Sequence, residues 1–465
     1  RDQCSWVHMH EREAATEKAK ELVHMAVAKA RHIEPLPEAI IEVTPRGLVI
    51  GGGLSGMTAA LGLARQGFEC YLVERSSDLG GSLRSTYFTL EGPDPKEHLR
   101  RLIEDVKAND KIHLFVDTAI EGIEGFVGNF KTVLSYGNGK EGKTEEIEHG
   151  TIIVATGATA YEPDAYLYGK HDTVVLQQVL EERLALGELD PKDLNQTVMI
   201  QCVGSRDETH PYCSAICCNH AIKNALKIKE TNPDANVTIL YRDVMSYGFS
   251  EDYYALARDQ GIVFIRYSPD EKPRVENVAG KVRVTVKDPL VKQNVVIHAD
   301  LLALSTAMVP YENTTLVEKL KVPLSADGFF LESHAQLKPV DSYVDGIYLC
   351  GKAQFPKPIN ECIAQAKAAA AKAAILLAKG YVAAEPIVAS CEADLCIGCG
   401  ICAHLCPYSA IRMTKVGKLK KAAIVAVACK GCGVCASYCP TRAIAMGRFT
   451  DEQIMDQIKA FGEGG

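Results

Sequence analysis

Eight of the 17 cysteines in this 465-residue chain fall into two short runs of identical spacing. The first is Cys396, Cys399, Cys402 and Cys406-Pro407; the second is Cys429, Cys432, Cys435 and Cys439-Pro440, and both read C-x2-C-x2-C-x3-C-P. Three thiolates that close together wrap three irons of an iron–sulfur cube, and the chain there is too tight to supply the fourth. The last cysteine of each run is therefore expected to serve the other cluster. Cys396, Cys399, Cys402 and Cys439 are assigned to one [4Fe–4S] cluster, and Cys429, Cys432, Cys435 and Cys406 to a second. Gly398, Gly400, Gly431 and Gly433 remove side chains where backbone amides approach sulfur. Zinc, the competing use of such cysteines, takes four ligands without an exchange between runs. Residues 391–413 and 424–446 thus form two copies of one unit, which conducts single electrons rather than performing bond chemistry.

Composition narrows the rest. With 47% hydrophobic and 24% charged residues the chain has the make-up of an ordinary soluble globular protein, and its length suits about three domains. A net charge of −8 offers no basis for nucleic acid or an anionic membrane as partner. No apolar run reaches the ~18 residues of a membrane span, and no secretory signal is present, so a cytoplasmic location is expected. A disulfide scaffold belongs to small secreted domains, which turns the cysteines toward metal or redox chemistry. The chain opens at Arg1 rather than Met, which leaves room for residues upstream.

Residues 10–32 have apolar side chains at helical spacing and predict an amphipathic helix, ended by Pro35 and Pro37. Gly47 to Arg75, GLVIGGGLSGMTAALGLARQGFECYLVER, reads as strand, glycine turn, helix and strand. Further strands are expected at 151–158, 197–205, 237–243, 262–267, 282–286, 301–305 and 346–351. Helical stretches separate several of them, the alternation of an α/β fold with mainly parallel sheets. Ala364–Lys379 predicts a helix packed closely on a sheet or cofactor. After Pro386 short Cys- and Gly-rich segments replace this pattern.

Gly51, Gly53 and Gly56 form G-x-G-x-x-G between an apolar strand and a helix. The glycines let backbone approach a pyrophosphate at the positive helix terminus, and Glu74, at the end of the next strand, is placed to accept ribose hydroxyls. Gly80-Gly81, then Ala155-Thr156-Gly157 after a strand, and Gly351 in GIYLCGKAQ resemble the later FAD contacts of the two-dinucleotide-domain flavoproteins. Where those reductases usually carry Asp after the last glycine, Lys352 stands here. In such flavoproteins an inserted second Rossmann domain binds NAD(P)H, and its place here is TVMIQCVGSRDE, 197–208. That strand lacks the glycine fingerprint; Cys202 stands near its end, followed by Cys213, Cys217 and Cys218 in PYCSAICCNHAIK.

Nearly the whole chain resembles the A-type component of heterodisulfide reductase, the FAD subunit of methanogenic archaea and its relatives in other anaerobes. The resemblance rests on QCSWVH at 3–8, the helix with ATEKAKELV, VIGGGLSGMTAAL, QCVGSRDE with PYCSAICC, and the tandem cysteine runs. It implies a thioredoxin-reductase-like α/β flavoprotein with a C-terminal α+β two-cluster ferredoxin domain. The expected divisions are an N-terminal helix and linker (1–46), FAD-binding parts (47–190 and 309–385), an inserted NAD(P)-binding-like domain (191–308), the ferredoxin domain (386–449) and a tail (450–465). It also implies a third [4Fe–4S] cluster on Cys202, Cys213, Cys217 and Cys218, and a Lys223 that approaches the flavin and stabilises an anionic reduced form; a solvated helix lysine is the alternative there. Longer members carry a further ferredoxin insert after the Gly-Gly segment, whereas residues 82–150 here contain no cysteine. The family's N-terminal cluster domain is expected before residue 1, with Cys4 a ligand whose partners lie outside the chain. Cys391 is unassigned, and Cys70, Cys350 and Cys362 are expected to be buried thiols.

The activity implied is flavin-based electron bifurcation, one electron of a pair reaching a disulfide at partner subunits and the other reaching ferredoxin. The partners implied are B- and C-type heterodisulfide reductase subunits, a hydrogenase- or formate-dehydrogenase-type donor, ferredoxin, and a second copy of the chain. Two other readings stay open: an NAD(P)H-dependent oxidoreductase like the small subunit of glutamate synthase, and a relay subunit that does not bifurcate. Arg206 and Arg242 are the available phosphate ligands for the former.

Overall fold

The computed structural model describes residues 2–33, 35, 40–136, 143–383, 387–417 and 419–462. Pro37 and Pro386, which the sequence marks as a helix end and a domain boundary, lie outside them. The chain separates into two compact units, one of residues 1–43, 126–128 and 379–465, the other of 44–125 and 129–378.

The larger unit is built on two sheets. In the first, Ile347–Leu349, Thr151–Val154, Arg46–Ile50, Glu69–Val73 and Ile112–Phe115 lie parallel in that order, with Lys338–Ser342 and Glu332–His334 added antiparallel at one edge. Leu48, Val49, Ile152 and Ile153 are fully buried, as strands covered on both faces require. The Leu54–Arg65 helix follows the glycine turn. Its Gly62 lies so close to the Ile359–Lys379 helix that a Cβ there would sit 2.8 Å from the Ala370 methyl. The Ala-rich helix expected to pack on a sheet or cofactor thus meets another helix at Ala370, and its Ala366, Ala369, Ala373 and Ala374 are buried as well.

The second sheet is wholly parallel: Val174–Leu176, Leu301–Thr306, Gln196–Val203, Asn236–Tyr241 and Val263–Arg266. The VRVTV strand lies outside it. Lys281–Asp288 joins a three-stranded antiparallel sheet, and Val282, Val284 and Val286 alternate inward, the pattern of a sheet with one wet face. A similar sheet, Thr118–Phe126, Asn129–Tyr136 and Lys143–His149, follows the first part of the dinucleotide fold.

In the smaller unit Ile40–Glu42 pairs antiparallel with Tyr381–Ala383. The Arg12–Ala30 helix, close to its expected span, packs against a helix at Asp451–Gly462, where the sequence reads as a tail. His32 Nε2 lies 2.6 Å from Asp456 Oδ2, and Gln453 Nε2 donates to the His32 carbonyl at 2.8 Å. The cysteine-rich half has two antiparallel pairs, Ala389–Cys391 with Ile444–Met446 and Ile411–Val416 with Leu419–Ile424. Short helices, Ile401–Leu405 and Val434–Ser437, start after Gly400 and Gly433. Among the described residues no helix is long and apolar enough to cross a membrane.

Candidate functional site

The cysteine-rich half encloses two small cavities related by the repeat. One is lined by Cys396, Cys399, Cys402 and Cys439, the other by Cys429, Cys432, Cys435 and Cys406. The structure thus groups the thiols as the crossed assignment groups them. Among the described residues no three His, Cys, Asp or Glu side chains close on a point as for one metal ion; a cube spreads its thiolates over corners instead. Backbone N–H groups point at sulfur, Ala410 N at Cys406 (3.3 Å) and Ala389 N at Cys429 (3.5 Å). Burial raises the Cys439 thiol, but the Thr441 hydroxyl and the N–H groups of Thr441, Ala443 and Ile444 outweigh it and hold the group below its ordinary value. Gly398 and Gly431 have positive φ and abut carbonyls of Lys420 and Ile387, so they are fixed by chain packing. Cys391 stands beside Cys396, and burial together with that neighbour raises its thiol to about 11. Cys4 donates to the Ala15 carbonyl at 2.9 Å.

In the larger unit the residues named for FAD converge at the carboxyl ends of the first sheet, where open α/β sheets bind ligands. Gly53 and Gly80 form a parallel bridge, and a Cβ on Gly81 would lie 3.2 Å from the Gly53 Cα. A Cβ on Gly51 would lie 2.4 Å from the Ala155 carbonyl oxygen, and one on Gly56 would strike the Gly51 carbonyl. These two glycines close the turn itself, whereas Gly53 and Gly81 leave a floor without side chains. Beside it lies a cavity of about 210 Å³ lined by Gly51, Glu74, Arg75, Thr156, Asn313 and others. Glu74 accepts from Gly52 N at 2.6 Å and Ser76 N at 2.9 Å. Two buried polar atoms of this wall, Thr156 Oγ1 and Asn313 Nδ2, have no hydrogen-bond partner among the described residues. Orphaned polar atoms around a glycine-floored cleft fit a nucleotide.

Gly157 and Gly351 take left-handed φ values of 81° and 68°. Gly351 is tied by Gln365 Oε1, which accepts its N–H at 2.8 Å, and by Lys357 Nζ, which donates to its carbonyl at 3.0 Å. Lys352 Nζ reaches Ser82 Oγ at 3.2 Å, beside Gly81. Burial lowers both lysines from their ordinary values.

The middle cysteines also converge. Cys202 lies where the Gln196–Val203 strand slips register between Ile200 and Val203, and its φ of 60° turns the chain as glycine would. A bulge of this kind re-aims a side chain. Arg206 and Ala215 share the left-handed conformation, a concentration of strain typical of functional loops. Cys217 and Cys218 open the Cys217–Thr231 helix, the place a pyrophosphate takes in a dinucleotide fold. A hydrogen bond between this adjacent pair holds Cys218 down and pushes Cys217 well up. Burial raises Cys202 to about 11, with the charges of Cys218 and Cys213 adding to it.

Lys223 is not solvated: 11% exposed, its Nζ lies 2.8 Å from Glu181 Oε2 and 2.8 Å from the Phe88 carbonyl. Glu181, 1% exposed, also holds His220 Nε2 at 2.7 Å and accepts from Tyr87 N at 2.6 Å. Burial raises this carboxyl, but His220 and Lys223 outweigh it and bring it to about 2. Burial lowers both His220 and Lys223 against the attraction of Glu181. Glu181, Lys357 and Gln365 carried no motif in the sequence, and His220 stood inside PYCSAICCNHAIK without a role. Cys70, Cys350 and Cys362 are buried.

Two family models match the chain, "4Fe-4S dicluster domain" over residues 395–457 and "Pyridine nucleotide-disulphide oxidoreductase" over 45–200. The A-type component of the H(2):CoB-CoM heterodisulfide,ferredoxin reductase of Methanothermobacter marburgensis is 36% identical over 507 positions, covering 88% of this chain and 76% of that protein. A protein of Archaeoglobus profundus, named as similar to the A-type component of heterodisulfide reductase, is 33% identical over 604 positions, covering 100% and 85%. Both alignments are longer than the 465-residue chain, so these relatives carry inserted segments that it lacks. A solved Lactococcus lactis thioredoxin reductase is more distant, with TM-score 0.49 and 18% identity over 72% of this chain and 99% of that one. With an α/β dinucleotide fold joined to a two-cluster ferredoxin domain, this oxidoreductase, an iron–sulfur flavoprotein, belongs to the family of A-type heterodisulfide reductase components.

Proposed function

We propose that the chain is the electron-distribution component of a heterodisulfide-reductase-type complex, dividing electron pairs between a disulfide-reducing partner and ferredoxin. The observation that carries this reading is the middle thiol group. Cys217 and Cys218 open the helix where a dinucleotide fold takes a pyrophosphate, Cys202 lies near the end of the Gln196–Val203 strand, and Cys213 lies between the two, all in the same compact unit as the FAD cleft. Four thiols there favour electron exit through a cluster over hydride entry from a nicotinamide.

In this reading the 47–190 and 309–385 segments hold FAD through Gly51, Gly53, Gly56, Glu74, Gly80, Gly81, Ala155, Thr156, Gly157, Gly351 and Lys352. Three [4Fe–4S] clusters are held by the middle thiols and the two crossed sets. FAD supplies two-electron chemistry and the clusters one-electron chemistry. Lys223, kept dry against Glu181 and Phe88, presents a desolvated cation whose charge Glu181 tempers. The partners are B- and C-type components and a hydrogenase- or formate-dehydrogenase-type donor, in keeping with a Methanococcus maripaludis relative from an H(2)/formate:CoB-CoM heterodisulfide,ferredoxin reductase. The setting is the cytoplasm.

The assembled complex, supplied anaerobically with its donor, tests this. Ferredoxin should be reduced only while the disulfide is also reduced, in equal electron amounts. Reduction of either acceptor alone would mark a relay, and rapid bleaching of the isolated protein by NADPH would mark the glutamate-synthase-like alternative.

A further inference from the structure

Beside the middle thiols lies a feature that neither the FAD cleft nor the ferredoxin pair uses. Arg242 and Asp243 follow the Asn236–Tyr241 strand, next in the sheet to the Gln196–Val203 strand that carries Cys202 near its end. Arg206 Nη2 pairs with Asp243 Oδ2 at 2.7 Å, and Arg242 Nη1 donates to the Arg206 carbonyl at 2.6 Å. Arg266 closes the group from outside, donating to the Arg242 carbonyl at 2.9 Å and pairing with Asp243 at 3.1 Å. The Cys218 thiol reaches the Asp243 carbonyl at 3.8 Å.

Each of the two inner guanidinium groups keeps one buried nitrogen without a partner among the described residues, Arg206 Nη1 and Arg242 Nε. Burying a charged donor unpaired is costly, so such atoms mark an absent acceptor. The Cys218 thiol sits against the Asp243 carbonyl, next to the carboxylate that Arg206 holds, and Arg206 follows Cys202 closely in the chain, so the acceptor is sought among the thiols. A nucleotide phosphate is the other acceptor with this chemistry. The Asp243 carboxylate repels it, and Cys217 and Cys218 fill the helix terminus that would hold its pyrophosphate.

We propose that Arg206 and Arg242 donate N–H bonds to the sulfurs of the cluster held by Cys202, Cys213, Cys217 and Cys218, and so set its reduction potential. The inference rests on the reading that these cysteines hold a cluster. Reduction adds one negative charge, and two fixed cations stabilise the charged form more than the oxidised one. This cluster is thereby made the more readily reduced exit from the flavin. Arg206 and Arg242 are positioning residues, acting through the cluster.

The test uses Arg206→Gln, Arg206→Lys and Arg242→Gln in the full chain, with iron content and potentiometric EPR under anaerobic conditions. Each Gln variant should retain its iron. At the poise that half-reduces the wild-type middle cluster, its reduced-to-oxidised ratio should fall about tenfold, the equivalent of about 59 mV for one electron. Arg206→Lys should recover part of that loss, and the ferredoxin signals should not move. Unchanged middle-cluster potentials with iron retained would overturn the proposal. Should one Gln variant lose iron, the other decides, a wild-type potential there with iron retained overturning the proposal; iron loss from both overturns it by making the two arginines supports of the fold rather than of the potential. NADP+ binding by the wild type that vanishes in Arg242→Gln would also overturn it, by giving the guanidinium groups a phosphate. Failure of the underlying reading looks different: about eight irons per wild-type chain and no third EPR signal.

Discussion

Gly398 and Gly400 take nearly the same left-handed backbone, φ 75° and 79°, yet differ in one respect. A Cβ on Gly398 would lie 2.1 Å from the Lys420 carbonyl oxygen, whereas one on Gly400 meets open space. Alanine at either position incurs the left-handed penalty, about 1–2 kcal/mol. Only Gly398→Ala must also push back the Leu419–Ile424 strand, whose Ala422 lines the same cavity as Cys396. Overpacking of that kind adds about 1–3 kcal/mol, for a total of about 2–5 kcal/mol against about 1–2 for Gly400→Ala. Because a cluster couples its binding to folding, the difference should appear as iron loss. Chelator challenge of the purified protein, followed by EPR, should strip the Cys396 cluster from Gly398→Ala first and leave Gly400→Ala near wild type. The repeat supplies a second pair, since a Cβ on Gly431 would lie 2.4 Å from the Ile387 carbonyl oxygen and one on Gly433 would meet nothing. Equal effects of Gly398→Ala and Gly400→Ala would refute the argument that close approach fixes these glycines.

Cys439→Ser should remove a ligand from the cluster of the first run while leaving the second run's signal intact, although Cys439 belongs to the second run; EPR of the reduced variant decides. His149 is fully buried, with Nδ1 3.1 Å from the Thr151 carbonyl and Nε2 2.8 Å from Thr132 Oγ1, and burial lowers it from 6.5 to about 4. Its folded value lies below its unfolded one, so stability is fully present above pH ~6.5 and falls as pH drops toward 4, by about 3 kcal/mol at most; urea midpoints against pH should show the loss, flattened in His149→Gln. Glu181→Leu leaves Lys223 and His220 buried without a counter-charge and should cost about 3–5 kcal/mol, with Glu181→Gln milder, both read by urea unfolding.

The crossed thiol grouping was legible because C-x2-C-x2-C-x3-C-P is a local constraint: the chain cannot bend four ligands onto one cube within a run. The glycine turn was legible for the same reason, its strand and helix lying within about twenty residues. The middle cysteines were not. Nothing in spacing brings Cys202 to a helix that starts at Cys217; a register slip and a left-handed Cys202 do that, and only family resemblance pointed there. Glu181 was invisible, since its contacts with Tyr87 and Lys223 cross long stretches of chain without a motif. The Asp451–Gly462 helix shows the opposite failure. Ile454, Ile458 and Phe461 stand at helical spacing, and the signal was there to read.

In the proposed function one chain joins a flavin to three clusters, the third on Cys202, Cys213, Cys217 and Cys218. Iron, acid-labile sulfide and flavin measured on the same anaerobic preparation test it most directly. Three clusters require about twelve iron and twelve sulfide ions with about one FAD per chain, and about eight of each ion in Cys218→Ser with the ferredoxin signals intact. About eight irons in the wild type, unchanged by Cys218→Ser, would contradict it.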